Sequence, residues 1–227
     1  MNIKVIYEDN HLLVVEKPIN ILSQSDDTKD VDMLTMCKDY IKKKYNKPGN
    51  VYVGLVHRLD RPVGGVMVFA KTSKAASRLS DQVRTKTMKK TYMAVVEGRC
   101  EKECEYVDYL QKNSKTNMVR VVDKNSKDAK KAILDMRLLD KMYIAKEKRE
   151  FSLVEINLQT GRPHQIRVQF SSRNHALFGD QRYNKKARVG EQISLWATKL
   201  EFLHPTTKEI LTFESKPPKK YPWNEFL

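Results

Sequence analysis

One carboxylate, Asp60, stands between two arginines in the stretch HRLDRPVGGVMVFAK at residues 57–71. Pro62 follows Arg61 directly, which biases Arg61 towards an extended backbone. The apolar residues that follow Gly65 are typical of a strand buried on both faces. A carboxylate on the short connection into such a strand is exposed by its loop and held still by the scaffold. These two properties suit a reactive acid.

An ordinary surface ion pair is the alternative interpretation, because any aspartate flanked by arginines such as Arg58 and Arg61 can form one. What favours chemistry at Asp60 is its combination with a second polar stretch later in the chain. The motif alone leaves both interpretations open.

That second stretch, TGRPHQIRVQF, covers residues 160–170. Its proline, Pro163, fits the first turn of a helix that we predict over 163–171. His164 and Arg167 are three residues apart and would share one face of this helix, while the apolar residues fall on another. His164 also fits a structural histidine as well as a functional one.

The composition favours a polyanionic partner. The chain has 227 residues, 40% of them hydrophobic, and a formal net charge of +15. A balance of this kind is typical of proteins that bind nucleic acid, although a merely soluble lysine-rich protein has it too. The charge is concentrated in residues 111–150, with twelve Lys or Arg against six Asp or Glu. This segment predicts either a basic, partly mobile arm or a solvated hairpin without a partner.

The three cysteines, Cys37, Cys100 and Cys104, form no even disulfide framework and have no zinc-like spacing, so we expect reduced structural thiols and no metal. No apolar run has the length of a signal peptide or a membrane span. The expectation is a soluble, cytoplasmic protein that does not engage a membrane.

Periodicity predicts the elements that must position these residues. The predicted strands are 3–7, 12–16, 51–56, 66–70, 91–97, 119–123, 132–139, 152–158, 193–203 and 209–213, and the predicted helices are 31–45, 73–85 and 163–171. Ser73 is the expected N-cap of the second helix. Because strands and helices do not alternate regularly, the expected class is α+β, with a mixed, largely antiparallel central sheet flanked by helices and loops.

In its ordered set of sequence blocks, the chain resembles the RluA family of pseudouridine synthases. The matching blocks are YEDNHLLVVEKP at 7–18, HRLDRPVGGVMVFAK at 57–71, KKTYMAVVEG at 89–98, TGRPHQIRVQF at 160–170, GDQRYN at 179–184 and ATKLEFLHPTTKE at 197–209. One block alone would be weak, but their order spans nearly the whole chain. The resemblance implies the pseudouridine synthase catalytic fold over 1–227 as a single catalytic domain.

The resemblance also implies the activity, which is isomerisation of specific uridines in structured rRNA or tRNA without cofactor or metal. It assigns catalysis to Asp60, Tyr92 and Arg167. In this assignment Asp60 acts ionised on the ribose, Arg167 pairs with it, and Tyr92 stacks on the flipped uracil. The candidates for RNA or substrate contact are Arg58, Arg61, Arg162, His164 and Gln165. The implied partner is RNA; we expect a monomer with no obligatory protein partner.

Two departures from the family pattern stand out. Val63-Gly64-Gly65 occupies the place where the family usually has Thr-Ser-Gly, so two hydroxyls near Asp60 are lost. The family's small accessory RNA-binding domain is not expected in front, because the catalytic blocks begin within about ten residues of the first residue.

Two other functions share much of this pattern. A non-catalytic RNA-binding or ribosome-assembly protein on the same fold would need basic residues but no carboxylate, and the joint presence of Asp60, Tyr92 and Arg167 speaks against it. A glycosylase would release free uracil, and no glycosidase-like pair of carboxylates is apparent around Asp60. Product analysis separates a glycosylase from an isomerase.

Overall fold

The structure is a computed structural model that describes residues 3–28 and 30–227. It divides into two compact units, Met1–Lys90 with Ala197–Lys216 and Thr91–Trp196 with Pro217–Leu227. The expectation of a single catalytic domain over 1–227 stays a prediction.

The elements follow one another with more strands than helices. The strands are β1 (Lys4–Glu8), β2 (Leu12–Lys17), β3 (Gly54–Leu55), β4 (Gly64–Ala70), β5 (Lys89–Glu97), β6 (Glu103–Lys112), β7 (Val119–Val122), β8 (Lys130–Ile144), β9 (Arg149–Leu158), β10 (Leu195–Leu203) and β11 (Ile210–Glu214). The helices are α1 (Met33–Lys44), α2 (Ser73–Arg84) and α3 (Gln165–Ser171), with 3-10 turns at Ala145–Glu147 and Trp223–Glu225.

The first unit is built around the buried strand β4. Its strand order is β1-β2-β4-β10, with β3 also paired to β4 and β11 to β10. All seven residues of β4 are buried, as the sequence predicted for its apolar run. The antiparallel register of β2 and β4 places Lys17, at the end of β2, opposite Gly65, at the start of β4. The end of β2 therefore lies beside the start of β4, where the turn that carries Asp60 ends.

Helix α2 covers one face of this sheet. Ala75 and Leu79 pack against a core that includes Val66, Val68 and Leu200. The N-cap lies one residue before the predicted one, because the Thr72 side chain accepts the N–H of Ala75 at 3.2 Å. The prediction that Ser73 is the N-cap was wrong.

The second unit has the strand order β5-β9-β8-β6-β7, and its neighbouring strands pair antiparallel. The basic segment 111–150 forms the end of β6, all of β7 and β8, and the start of β9. Helix α3 packs on these strands through Val168, which lies in one buried apolar cluster with Leu110, Val119 and Ala132. The positive charges of this segment are therefore carried by a sheet that packs against α3.

Two of the differences from the prediction concern strands β3 and β6. The apolar run 51–56 pairs with β4 only at Gly54 and Leu55, because its register reaches only Ala70 and Phe69 at the end of that strand. Strand β6 was not predicted, since most of its side chains are polar and its clearest buried positions are Tyr106 and Leu110. Among the described residues, no helix combines the length and the apolar composition needed to cross a bilayer.

Candidate active site

Asp60 lies on the turn that joins β3 to β4, in the first unit. The N–H of Val63 donates to the Asp60 carbonyl at 3.0 Å and closes the turn. Leu59 and Val63 are buried on either side, while Asp60 is partly exposed. The turn therefore presents this carboxylate from a backbone whose neighbouring side chains are anchored in the core.

Two buried side chains hold the backbone of this turn. The first is Lys17, whose ammonium donates to the carbonyls of Pro18 at 3.0 Å, Arg61 at 3.0 Å and Val63 at 2.7 Å. Burial lowers the pKa of Lys17 to about 7. The negative charge of Asp60 acts to raise this pKa, and the positive charge of Arg61 acts to lower it. The Asp60 carboxylate and the Lys17 ammonium therefore interact electrostatically in the folded state.

Ser23 holds the other side of the turn. Its hydroxyl donates to the Leu59 carbonyl at 2.7 Å and accepts the Leu59 N–H at 3.1 Å. The main chain is thus bonded on both sides of Asp60. Sequence reasoning had no signal for these contacts, because Ser23 is 36 residues away from Leu59 in the chain.

The flanking arginines lie on the surface. Arg58 and Arg61 are both exposed. The Arg61 guanidinium pairs with the Asp30 carboxylate at 2.8 Å, and both side chains are about half exposed. An ion pair of this exposure contributes little stability. The assignment of Arg58 and Arg61 to RNA contact stays a prediction.

His57, the first residue of the stretch HRLDRPVGGVMVFAK, has a structural role. Its Nε2 accepts the Val68 N–H at 3.1 Å, and its Nδ1 has no hydrogen-bond partner among the described residues. Burial lowers the pKa of His57 to about 3, and the charge of Lys90 acts in the same direction. The ring is therefore neutral at physiological pH and supports β4.

The three residues that follow Pro62 pack tightly. Val63 and Gly64 are buried. Gly65 has φ +124°, and a Cβ there would fall against the backbone oxygen and nitrogen of Ala197. Only glycine meets both demands, the positive φ and the close approach of a neighbouring strand.

In the second unit, Arg167 is held by a carboxylate from the loop after α3. Its Nε donates to Asp180 Oδ2 at 2.8 Å and its Nη2 to Asp180 Oδ1 at 2.7 Å. The Asp180 side chain is fully buried and that of Arg167 is 7% exposed. The ring of Tyr183 lies 5.2 Å from the guanidinium carbon. This two-pronged arrangement fixes the plane of the guanidinium.

Asp180 was assigned no role from the sequence. The quoted block GDQRYN contains it, but no helical or strand spacing connects it to Arg167, thirteen residues earlier. The predicted pairing of Arg167 with Asp60 stays a prediction.

Helix α3 begins at Gln165, so the predicted start at Pro163 was wrong. His164 has a left-handed backbone, with φ 51°, and an α-helix does not continue through that conformation. The His164 Nδ1 lies 2.8 Å from the Tyr183 hydroxyl, which also accepts the Val119 N–H at 2.9 Å. Burial raises the pKa of Tyr183, so its phenol stays neutral and links α3 to β7.

Gln165 and Arg162 build the connection into α3. The Gln165 side-chain oxygen accepts from the Thr160 hydroxyl at 2.8 Å and from the Arg162 N–H at 3.0 Å. Its amide nitrogen donates to the Ile133 carbonyl at 3.0 Å, and the residue is 3% exposed. The Arg162 Nε donates to the Lys131 carbonyl at 2.9 Å. These bonds brace the helix entrance; RNA contact by His164, Gln165 and Arg162 stays a prediction.

Tyr92 lies on β5, opposite Ile156 of β9. It is 6% exposed. This burial fits the strand position predicted from the sequence, whereas stacking on uracil stays a prediction. The predicted catalytic residues thus fall in different units, with Asp60 in the first and Tyr92 and Arg167 in the second.

Comparison with known proteins identifies the family. The family described as RNA pseudouridylate synthase matches residues 11–172, which include the Asp60 turn, Tyr92 and Arg167. The chain belongs to this family. It is an RluA-family pseudouridine synthase, an isomerase that converts uridine in RNA to pseudouridine.

Relatives of this pseudouridine synthase have been named for different RNAs. An uncharacterised RNA pseudouridine synthase of Aquifex aeolicus is 33% identical over 96% of this chain and 71% of its own length. The ribosomal large subunit pseudouridine synthase D of Zymomonas mobilis is 28% identical over 96% of this chain and 70% of its own. The tRNA pseudouridine synthase C of Vibrio cholerae is 29% identical over 94% of this chain and 90% of its own.

A solved structure shows the same fold. Human RNA Pseudouridylate Synthase Domain Containing 1 superimposes with a TM-score of 0.77 at 20% identity, over 98% of this chain and 86% of that one. The enzyme therefore has the pseudouridine synthase catalytic fold, with the largely antiparallel sheet predicted from the sequence.

Proposed function

We propose that this enzyme isomerises specific uridines in structured rRNA or tRNA, and that Asp60 is the carboxylate on which the reaction depends. The observation that carries the proposal is the placement of Asp60 within the family signature, partly exposed on a turn with a fixed backbone. A binding protein has no use for such a carboxylate, because an acidic side chain repels phosphate.

The proposed isomerisation requires one ionised carboxylate. Uridine isomerisation breaks the bond from ribose to a ring nitrogen, turns the base, and forms a bond from the same ribose carbon to a ring carbon. In our proposal Asp60 engages the ribose or takes a proton from it. The atoms of the product are those of the substrate, so the reaction balances without an oxidant or a second substrate.

The target base must leave its stack before it can react, at a cost of a few kcal/mol. In our proposal the exposed guanidinium of Arg58 occupies the vacated space, because a planar guanidinium stacks on bases and also donates to phosphate. Tyr92 stacks on the flipped uracil and assists removal of the proton from the carbon that bonds to ribose. Arg167 supports the charge of Asp60.

Two observations support rRNA or tRNA as the substrate: the positive charge of the second unit and the names of the relatives. One relative is named for the large ribosomal subunit and another for tRNA. The basic segment 111–150, which forms β7 and β8 and parts of β6 and β9, offers a positively charged surface to a folded RNA. We propose that the enzyme binds RNA through this surface, as a monomer in the cytoplasm and without a cofactor.

The decisive experiment compares pseudouridine maps of rRNA and tRNA from cells with and without the gene. The expected result is the loss of pseudouridine at one position or a few. Purified Asp60→Asn protein should bind the RNA so identified and form no pseudouridine, at least about 10³-fold below the wild type. Unchanged maps, or substantial turnover by Asp60→Asn, would overturn the proposal, and release of free uracil would indicate a glycosylase.

A further inference from the structure

The turn that carries Asp60 lacks side-chain hydroxyls of its own. Where the family usually has threonine and serine, this chain has Val63 and Gly64, and neither offers a side-chain donor or acceptor. The backbone of the turn nevertheless has fixed partners at residues 59, 61 and 63. They come from the end of β2 and from the loop that follows it.

Burying these polar partners costs the folded protein free energy. Lys17 is fully buried and Ser23 is 5% exposed. The Lys17 ammonium donates to three backbone carbonyls, of Pro18, Arg61 and Val63, which match its three donors. Taking an ammonium out of water is costly, and an apolar residue at this site would avoid that cost. The arrangement is therefore better explained by what it holds than by stability alone.

We propose that Lys17 and Ser23 are positioning residues for Asp60, and together form a clamp that fixes the backbone on both sides of this carboxylate. The proposal rests on the proposed role of Asp60 as the catalytic carboxylate. Ser23 fixes the residue before Asp60 through both of its backbone groups, and Lys17 fixes the residue after Asp60 and the end of the turn.

The physical reason is the sensitivity of catalysis to distance. Reacting groups must be held within a fraction of an ångström, and a misplacement of about 1 Å can cost about 10²-fold in rate. A turn with loosened backbone bonds would still bind RNA through the exposed arginines and the basic sheet. The clamp should therefore act on kcat at saturating RNA and leave KM nearly unchanged.

The second unit supplies a matched control for Ser23. Ser152 is fully buried, donates to the Gly98 carbonyl at 2.7 Å and accepts the Cys100 N–H at 3.0 Å. Ser23 makes the same two kinds of bond at 2.7 and 3.1 Å. Loss of either hydroxyl should cost similar stability, but only the one at Ser23 touches the Asp60 turn.

The test measures kcat and KM for wild type and for the variants Ser23→Ala, Ser152→Ala and Asp60→Asn, well below every melting temperature. Ser23→Ala should lose about 10- to 100-fold in kcat with KM within about threefold, while Ser152→Ala keeps kcat within about twofold. Lys17→Gln, which keeps part of the donor set, is a second variant and should show the same selective loss of kcat.

Amide hydrogen exchange gives a readout that does not depend on activity. The N–H of Val63 closes the turn, so its exchange should be at least about tenfold faster in Ser23→Ala than in the wild type, and unchanged in Ser152→Ala. The clamp is overturned if Ser23→Ala matches Ser152→Ala in kcat and in Val63 exchange, or if KM alone changes. If Asp60→Asn is active, the proposed function fails, while faster Val63 exchange in Ser23→Ala still shows that the hydroxyl holds the turn.

Discussion

In the Asp60 turn, the buried side chains of Lys17 and Ser23 donate hydrogen bonds to the main chain. At α3, by contrast, the buried carboxylate of Asp180 accepts hydrogen bonds from the side chain of Arg167. The two regions therefore fix a charged group by different means. Hydrogen bonds to the backbone fix the main-chain position from which the Asp60 side chain extends. The ion pair with Asp180 fixes the position and orientation of the Arg167 guanidinium. Loss of a donor that holds the Asp60 backbone should mainly affect the geometry of the turn, whereas loss of either partner of the Arg167–Asp180 pair should affect both charge balance and folding.

The largest effect is expected at the Arg167–Asp180 pair. Arg167→Ala leaves the Asp180 carboxylate buried and uncompensated, which should lower the free energy of unfolding by about 3–5 kcal/mol and abolish turnover. Lysine at 167 restores the charge but not the two-pronged geometry, so its activity should recover only partly. Denaturant unfolding and turnover at saturating RNA check this.

Asp180→Asn tests the pair from its other side, because it removes the carboxylate and leaves the arginine in place; denaturant unfolding measures the result. We expect a loss of stability comparable with that of Arg167→Ala. If Asp180→Asn keeps wild-type stability, the buried pair does not anchor α3 and the contrast with the Asp60 turn disappears.

The next effect is expected at the exit of the Asp60 turn. Gly65→Ala combines a positive φ with a clash against the Ala197 backbone and should cost about 3 kcal/mol or more of the free energy of unfolding. Gly190→Ala is the matched control, since Gly190 also has a positive φ but no atom within 4 Å of the position that a Cβ would take. Thermal or urea unfolding of the two variants should differ by at least about 2 kcal/mol. Equal losses would mean that backbone strain alone requires glycine at 65.

A pH-dependent effect, small near neutral pH and growing towards acid pH, is expected from His57, whose ring supports β4. The folded protein keeps this ring neutral down to about pH 3, whereas the unfolded chain takes up a proton near pH 6.5. Stability should therefore fall as the pH drops from about 6.5 towards 3, by up to about 1.4 kcal/mol per pH unit from this group. His57→Phe, which cannot titrate, should show a shallower acid dependence in urea unfolding across that range. Identical slopes in the two proteins would exclude His57 as the source.

The smallest effect is expected at Arg162, which sharpens the contrast with Arg167 inside one motif. The Arg162 guanidinium is bonded to a backbone carbonyl and is only partly buried, so Arg162→Ala should leave stability within about 1 kcal/mol. RNA affinity should fall by about tenfold or less, with turnover at saturating RNA largely preserved. Filter binding and single-turnover kinetics measure these quantities. Abolished turnover in Arg162→Ala, with Arg167→Ala merely weakened in binding, would reverse the two assignments.

The fold could be predicted from the sequence wherever local patterning decides it. The buried strand β4 and helix α2 follow from apolar runs and helical periodicity, and the structure has both. Strand β6 was not predicted because few of its side chains are buried, so its sequence lacks a clear apolar pattern. Its extended conformation is stabilised by pairing with β8. Helix α3 starts late because the left-handed backbone of His164 is stabilised by the surrounding structure, which no periodicity reveals.

By itself, the sequence determined the family, the largely antiparallel α+β fold and the candidate acid, Asp60. These follow from short motifs in a fixed order and from local periodicity, both of which are written along the chain. Only the tertiary structure decided what holds the candidates in place: Lys17 and Ser23 around the Asp60 turn, and Asp180 on Arg167. Such contacts depend on which buried groups meet after folding, and burial makes each unpaired polar group too costly to leave without a partner.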